Sequence, residues 1–178
     1  MNWIPTGALA LLWLAGCSLA LNWRNVPVPD AALTITLPCK PDQAQRTIEL
    51  AGSPVELSMA GCEADGAVLA VSHAALADPA LAGAALTHWR AAVLANLGSG
   101  AAATAADMPY APPGVLPLPQ SVRTVVQGQR PDGSAVSAQA VWFARTVGPQ
   151  VRLYHAVVYT DKPRPELADT FFAGLALQ

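Results

Sequence analysis

The chain has 178 residues, 53% of them hydrophobic and only 12% charged, with a formal net charge of -2. Its ten Lys and Arg are interspersed with its twelve Asp and Glu, so no basic stripe supports nucleic-acid binding and no charged tail stands out. The length suits one domain with a real core, and no repeat of fixed period divides it.

The segment from Ile4 to Leu21 carries no charged residue. Its apolar run Ala8–Leu14 has the length of a signal-peptide core and is short for a bilayer span, which takes roughly 20 residues. The run leads into Leu14-Ala15-Gly16-Cys17, which resembles the lipobox of bacterial lipoproteins. The resemblance implies a signal peptide over residues 1–16, cleavage before Cys17, and a lipid on the Cys17 thiol that anchors the mature chain to a membrane. No cofactor beyond that covalent anchor is expected. Ser18 resembles the sorting pattern of outer-membrane lipoproteins and implies a site in the cell envelope facing the periplasm. Residues 1–7 contain no Lys or Arg, a departure from the pattern. The alternative is an uncleaved anchor from Ile4 to Leu21 with Cys17 buried.

After Cys17 the chain reads as a tether to Asp30, because Pro27 and Pro29 oppose helix and central strand. A single domain is expected over residues 31–178. Leu33-Thr34-Ile35-Thr36-Leu37 alternates strictly and predicts a strand. Arg46–Leu50 alternates again, and Val55, Leu57 and Met59 mark a third strand ending near Cys62. Asp65-Gly66 is a hairpin turn, and Leu69 and Val71 mark a fourth strand. Asp78 caps a helix with Pro79 at its first position; Ala82, Leu86, Trp89, Val93 and Leu97 form its apolar stripe and Gly98 its stop. Residues 99–120 are expected to be a Pro-rich loop.

Three further strands follow. Ser121–Gln129 turns through Arg130-Pro131-Asp132-Gly133 into Ala138–Val147, and Gly148-Pro149 leads to Val151–Tyr159, the most β-prone run in the chain. Pro163 and Pro165 open a last helix on which Leu167, Phe171 and Leu175 share a face. The fold class is therefore α+β: a mainly antiparallel sheet of six to seven strands packed with a central and a C-terminal helix. Leu37-Pro38 closing an early strand, hairpins before a central helix, and a late strand pair before Phe171-Phe172 and Leu175-Ala176-Leu177 make this order similar to the PsbP and Mog1 family. The resemblance implies an α/β/α domain and the role of an accessory or assembly factor.

Cys39 and Cys62 fall at strand ends. With Cys17 lipidated they form an even pair, for which we expect a structural disulfide stabilising by roughly 3 kcal/mol; two buried thiols are the alternative. His73, His88 and His155 have no metal-ligand spacing, and neither a nucleophile elbow nor a phosphate loop is present. Aromatic residues gather in the last third. Trp142 and Tyr154, on adjacent predicted strands, are expected to face one side and pack against the last helix, or else to line an apolar groove or partner surface. Tyr110 within the Pro-rich loop belongs to the same candidate surface. The sequence therefore reads as a non-catalytic envelope lipoprotein that binds another envelope protein. The alternatives are a binder of a small apolar ligand and, behind it, a hydrolase.

Overall fold

A computed structural model describes residues 21–97, 104–130 and 132–178. The signal peptide 1–16, Cys17 and Gly98 lie outside the described residues. In chain order the elements are β1 (Arg24–Val28), a 3-10 turn (Pro29–Ala31), β2 (Leu33–Leu37), β3 (Asp42–Leu50), β4 (Ser53–Ala64), β5 (Ala67–Leu76), a second 3-10 turn (Pro79–Leu81) and α1 (Ala82–Leu97). Then come β6 (Thr104–Pro109), β7 (Val122–Gln129), β8 (Ala135–Val147), β9 (Gln150–Thr160), α2 (Pro165–Ala173) and β10 (Ala176–Leu177). The α+β class holds: among the described residues ten strands form two antiparallel sheets, a seven-stranded sheet β3-β4-β5-β9-β8-β7-β6 and a small one, β1-β2-β10.

Local chemistry sets most of the registers. Asp65 and Gly66 both have positive φ, 51° and 67°, which gives the two-residue turn whose twist matches the strands it joins. Ala51 and Gly52 do the same between β3 and β4, at 52° and 79°. Gly148, at φ 58°, turns β8 into β9 ahead of Pro149. Asp78 caps the helical segment as expected, its Oδ1 accepting from Ala80 N at 2.9 Å. Gly128 sits where the end of α1 crosses β7, and a Cβ there would collide with the Leu97 carbonyl oxygen.

Two expected loops contain strands. The tether assigned to 17–30 includes β1, which pairs with β2 from Arg24–Leu37 to Val28–Leu33. Pro27 is tolerated because β1 is an edge strand, where a missing N–H costs no ladder bond. The loop assigned to 99–120 includes β6, the far edge of the large sheet, paired to β7 and ending at Pro109. Both carry prolines that read as breakers and no alternating apolar pattern, so neither is visible in periodicity. The bidentate ion pair of Arg90 with Asp107, at 2.7 Å, joins α1 to β6.

Each face of the large sheet is covered. On one face α1 lays Leu86 and Trp89 over Leu57, Leu76, Trp142 and Leu153. On the other, Leu33, Ile35 and Leu37 of the small sheet and Phe171 of α2 pack on Leu69, Val71, Val141 and Phe143. Each fully buried aliphatic or aromatic side chain stabilises by about 1.5–3 kcal/mol, so the paired cores rather than the surface ion pairs hold the domain. Leu175 lies beyond the end of α2 and packs partly buried on the second core.

The expected disulfide is present: Cys39, just after β2, is bonded to Cys62 on β4 with Cα atoms 6.0 Å apart. It fastens the small sheet to the large one across 23 positions of sequence. Reduction should lower the unfolding free energy by about 3 kcal/mol, read from urea titrations with and without reductant; an unchanged midpoint would refute a stabilising role.

His155 faces the α1 side, its ring stacked on Trp142 at 3.8 Å between centroids. Burial pushes its pKa down from 6.5 to about 3. The unfolded chain therefore takes up a proton near pH 6.5 that the folded chain refuses until about pH 3, so stability is full above 6.5 and is lost as pH falls. His155→Phe should flatten the pH dependence of unfolding between pH 6 and 4 by about 1.4 kcal/mol per pH unit. An unaltered slope would show that His155 does not contribute.

Candidate functional site

Trp142 and Tyr154 are core residues, as the first of the two readings has it, and form no groove or partner surface. Opposed residues on neighbouring strands share a face, and Trp142 opposes His155 whereas Phe143 opposes Tyr154. Trp142 and Tyr154 thus point to opposite faces, a correction that follows from their one-residue offset in register. Both are core, 1% and 0% exposed. Tyr110 is half-buried with its ring 5.5 Å from that of Phe143, and burial raises its pKa to about 12. The Pro-rich segment around it wraps the sheet rather than standing free. Leu116 N donates to Ala144 O at 2.8 Å, taking the backbone position on β8 beyond the start of β7. Pinned to the sheet this way, the segment offers no free backbone strip for recognition there.

Polar chemistry gathers elsewhere, on the face that carries the small sheet but beyond its end. The Asp65-Gly66 turn brings Ser58 opposite His73, and β5–β9 pairing brings His73 opposite Tyr154. One step farther along the strands, Ala75 opposes Arg152, which opposes Arg145. Above this shelf sits the 3-10 turn after β1. Tyr154 pins it, its hydroxyl donating to Ala31 O at 2.6 Å, and so places Asp30 over the strands. Two adjoining clefts result, of about 300 and 240 Å³, both lined by Asp30, Ser58 and His73. Gln43 and Gln45 of β3 line the first; Glu56 and Arg152 line the second.

His73 defines what this site can do. It is 4% exposed, and Arg152 Nη1 lies 3.1 Å from its Nδ1. A guanidinium only donates, so Nδ1 accepts and the imidazole proton sits on Nε2. Burial first, then the Arg152 charge, lower the His73 pKa to about 4, against a smaller opposing pull from Asp30. At neutral pH the ring is an uncharged donor whose lone pair is already occupied. It cannot take a proton from Ser58, although the two oppose each other directly; Ser58 Oγ instead accepts from Gln45 Nε2 at 3.3 Å. The arrangement offers hydrogen bonds and charge to a bound molecule, not an activated nucleophile.

The remaining histidine, His88, is exposed on α1. Among the described residues no cluster of three or more His, Cys, Asp or Glu is placed to hold a metal ion. None of the cleft residues was singled out from the sequence as a site, and Arg145 and Arg152 drew no attention there. The signal that finds them is register: counting outward from Gly148-Pro149 sets Arg145 against Arg152, and counting outward from Asp65-Gly66 sets Ser58 against His73. Lysis of the His73–Arg152 contact is testable in the ring's own titration. Arg152→Gln should raise the His73 pKa from about 4 toward 6.5, followed by its imidazole proton resonances in NMR; an unmoved value would leave burial as the sole cause. No protein-family model matches the chain, and no curated protein matches it.

Proposed function

We propose that the chain is a bacterial lipoprotein, anchored through lipid on Cys17 to the periplasmic side of the outer membrane. Its PsbP/Mog1-like domain acts there as a non-catalytic binding factor for another envelope protein. The observation that carries this reading is the Cys39–Cys62 disulfide, because such bridges form and persist in oxidising compartments and are rare in the cytosol. It agrees with Leu14-Ala15-Gly16-Cys17, and the remaining cysteine is then the lipid acceptor. Among the described residues no helix is long and apolar enough to cross a membrane. Attachment to the bilayer therefore falls to the segment before residue 21 in this reading.

The fold gives such an anchor a direction. Leu21 and Trp23 pack against the core beside α2, and Asn22 N donates to Pro38 O at 3.1 Å. Cys17 is four residues from Leu21, a reach of at most about 14 Å. The end of the domain near Leu21 and Pro38 is therefore held close to the bilayer. The polar clefts lie at the other end of β1, by Val28 and Asp30. The small apolar ligand considered from the sequence loses its basis, since the aromatic side chains that motivated it fill the core. The hydrolase is disfavoured by the occupied lone pair of His73.

Intact mass spectrometry of the full-length protein, extracted in detergent from bacterial membranes without reductant, tests this reading. The expected species begins at Cys17, carries acyl groups and has no free thiol. A mass that retains Met1 would overturn the lipoprotein assignment, and two free thiols would remove its compartment argument.

A further inference from the structure

The large sheet ends on β6 at one edge and on β3 at the other. Strand β6 is six residues long, and its Asp107 is held by Arg90 and by the Thr124 hydroxyl. Strand β3 is nine residues long, and Asp42 to Thr47 are exposed without a break. Its Asp42, Arg46 and Glu49 are in no ion pair among the described residues. One side of its backbone is equally open, since among the described residues only β4 pairs with it. Ala51 and Gly52 form a two-residue turn in which Leu50 opposes Ser53, so the backbone of Leu50 bonds to β4. By alternation Glu49, Thr47, Gln45 and Gln43 direct their N–H and C=O groups away from β4. Such a row of unpaired groups is a template for another strand.

The open strand is complementary to itself. Asp42-Gln43-Ala44-Gln45-Arg46 reads alike in both directions except at its ends, which carry opposite charges. We propose that the chain forms a symmetric dimer by antiparallel pairing of β3 with β3 of a second copy, about a two-fold axis at Ala44. Gln43 then exchanges backbone hydrogen bonds with Gln45 of the second copy, and Asp42 opposes Arg46 of the second copy, twice by symmetry. Positions 42, 44 and 46 give their backbone bonds to β4, so between copies they form the non-hydrogen-bonded pairs, whose side chains lie closest. Opposite charges in that relation stabilise a sheet and like charges destabilise it. No other two-fold register centred on a β3 residue opposes unlike charges. One centred on Arg46 sets two arginines face to face, and Glu49 cannot meet Arg46, because only Arg46 turns its backbone toward β4. Pro41 has no N–H and limits the ladder beyond Asp42. The charges that blunt this edge toward an arbitrary strand thus select a second copy. Asp42, Ala44 and Arg46 alternate in step with Ile48 and Leu50, which pack on the α1 side. Both copies therefore carry α1 on one side of the joined sheet and the small sheet on the other, so two chains anchored as proposed above can share a bilayer. The inference rests on the sheet edge and not on the lipid anchor, so the mass of the mature chain and the test of self-association fail independently.

Sedimentation velocity of the full chain in density-matched detergent, with its disulfide intact, tests the assignment over a series of protein concentrations. A monomer–dimer equilibrium is expected. Asp42→Arg and Arg46→Asp each turn both attractive pairs into repulsive ones and should weaken dimerisation about tenfold or more. Combining the two restores the pairs in reverse and should recover the original equilibrium. Mixed together, the two single variants should dimerise with each other more tightly than either does with itself, which guards against a misfolded variant. Glu49→Gln, exposed on the same strand but opposite no charge in this register, should leave dimerisation unchanged. Ala44→Cys should join two copies through a disulfide under mild oxidation, because the two positions face each other within disulfide reach. Thr47→Cys should not, because this register holds the two Thr47 about 20 Å apart. A chain that stays monomeric at every concentration, a dimer indifferent to both charge reversals, or cross-linking as fast at position 47 as at position 44 would overturn the proposal. The first of these outcomes would leave the edge to a strand of a different protein.

Discussion

Ten consecutive residue pairs join β5 to β9, from Ala67–Thr160 to Leu76–Val151. This ladder is what makes one sheet of two separately formed meanders, β3-β4-β5 and β6-β7-β8-β9. The β3–β4, β4–β5 and β8–β9 hairpins close over two-residue turns and need little loop-closure entropy. The β5–β9 contact spans α1 and the Pro-rich segment, so its entropy is lost before its contacts are gained. Its partners are accordingly the most apolar in the chain: Leu69 and Val71 against Val158 and Ala156 on one face, Ala74 and Leu76 against Leu153 and Val151 on the other. Both strands are buried on both faces through their middles, although Val68 on β5 is exposed.

The two covers of that sheet are held by different means. Helix α1 follows directly from β5 and reaches its face by sequence proximity, with Asp78 fixing where it begins and Gly128 allowing its end to approach β7 closely. The small sheet comes from both ends of the chain, since β10 pairs with β2 through Ala176–Thr34 and Leu177–Leu33. Its two sides are therefore assembled late in any sequential picture, and the Cys39–Cys62 bond ties the small sheet to β4 covalently. Arg164 adds a second tie on this side, pairing with Asp65 at 2.7 Å and so linking the start of α2 to the β4–β5 turn.

Strictly alternating or strongly apolar runs were legible in the sequence: β2, β4, β5, β8 and β9 were visible there, as were α1, α2 and the disulfide pair. The edge strands β1 and β6 were not, because their prolines read as breakers until the partnerless side is known, whereas the proline-free edge strand β3 was read from Arg46–Leu50. The misplacement of Trp142 and Tyr154 has a sharper cause. Strand assignment alone leaves the facing of two strands free by one residue, and that one residue decides the face. The Gly148-Pro149 turn contains the missing information, since a two-residue turn there opposes Phe143 to Tyr154 and Trp142 to His155. The polar site needed more. Its hairpin pairs, Ser58 with His73 and Arg145 with Arg152, are local, but their union across β5 and β9 is a long-range contact that no turn encodes.

With register in hand, a gradient appears on one face of four strands. Along β4 the inward residues run Cys62, Ala60, Ser58, Glu56; along β5, Leu69, Val71, His73; along β9, Val158, Ala156, Tyr154, Arg152; along β8, Val141, Phe143, Arg145. β4 and β5 turn polar at the level of Ser58 and His73, and β9 and β8 one level farther on at Arg152 and Arg145, beside the 3-10 turn that carries Asp30. The end of a covering layer is enough to explain polar residues there, since exposed positions need no apolar side chain. It does not explain which polar residues stand side by side. Opposite charges on neighbouring strands stabilise a sheet, and four other arginines among the described residues each pair with an acid, though none of them across two neighbouring strands. Arg145 and Arg152 instead oppose each other, with Arg145 Nη1 and Arg152 Nε shut off from solvent, while Asp30 and Glu56 line the cleft beside Arg152 without pairing with it.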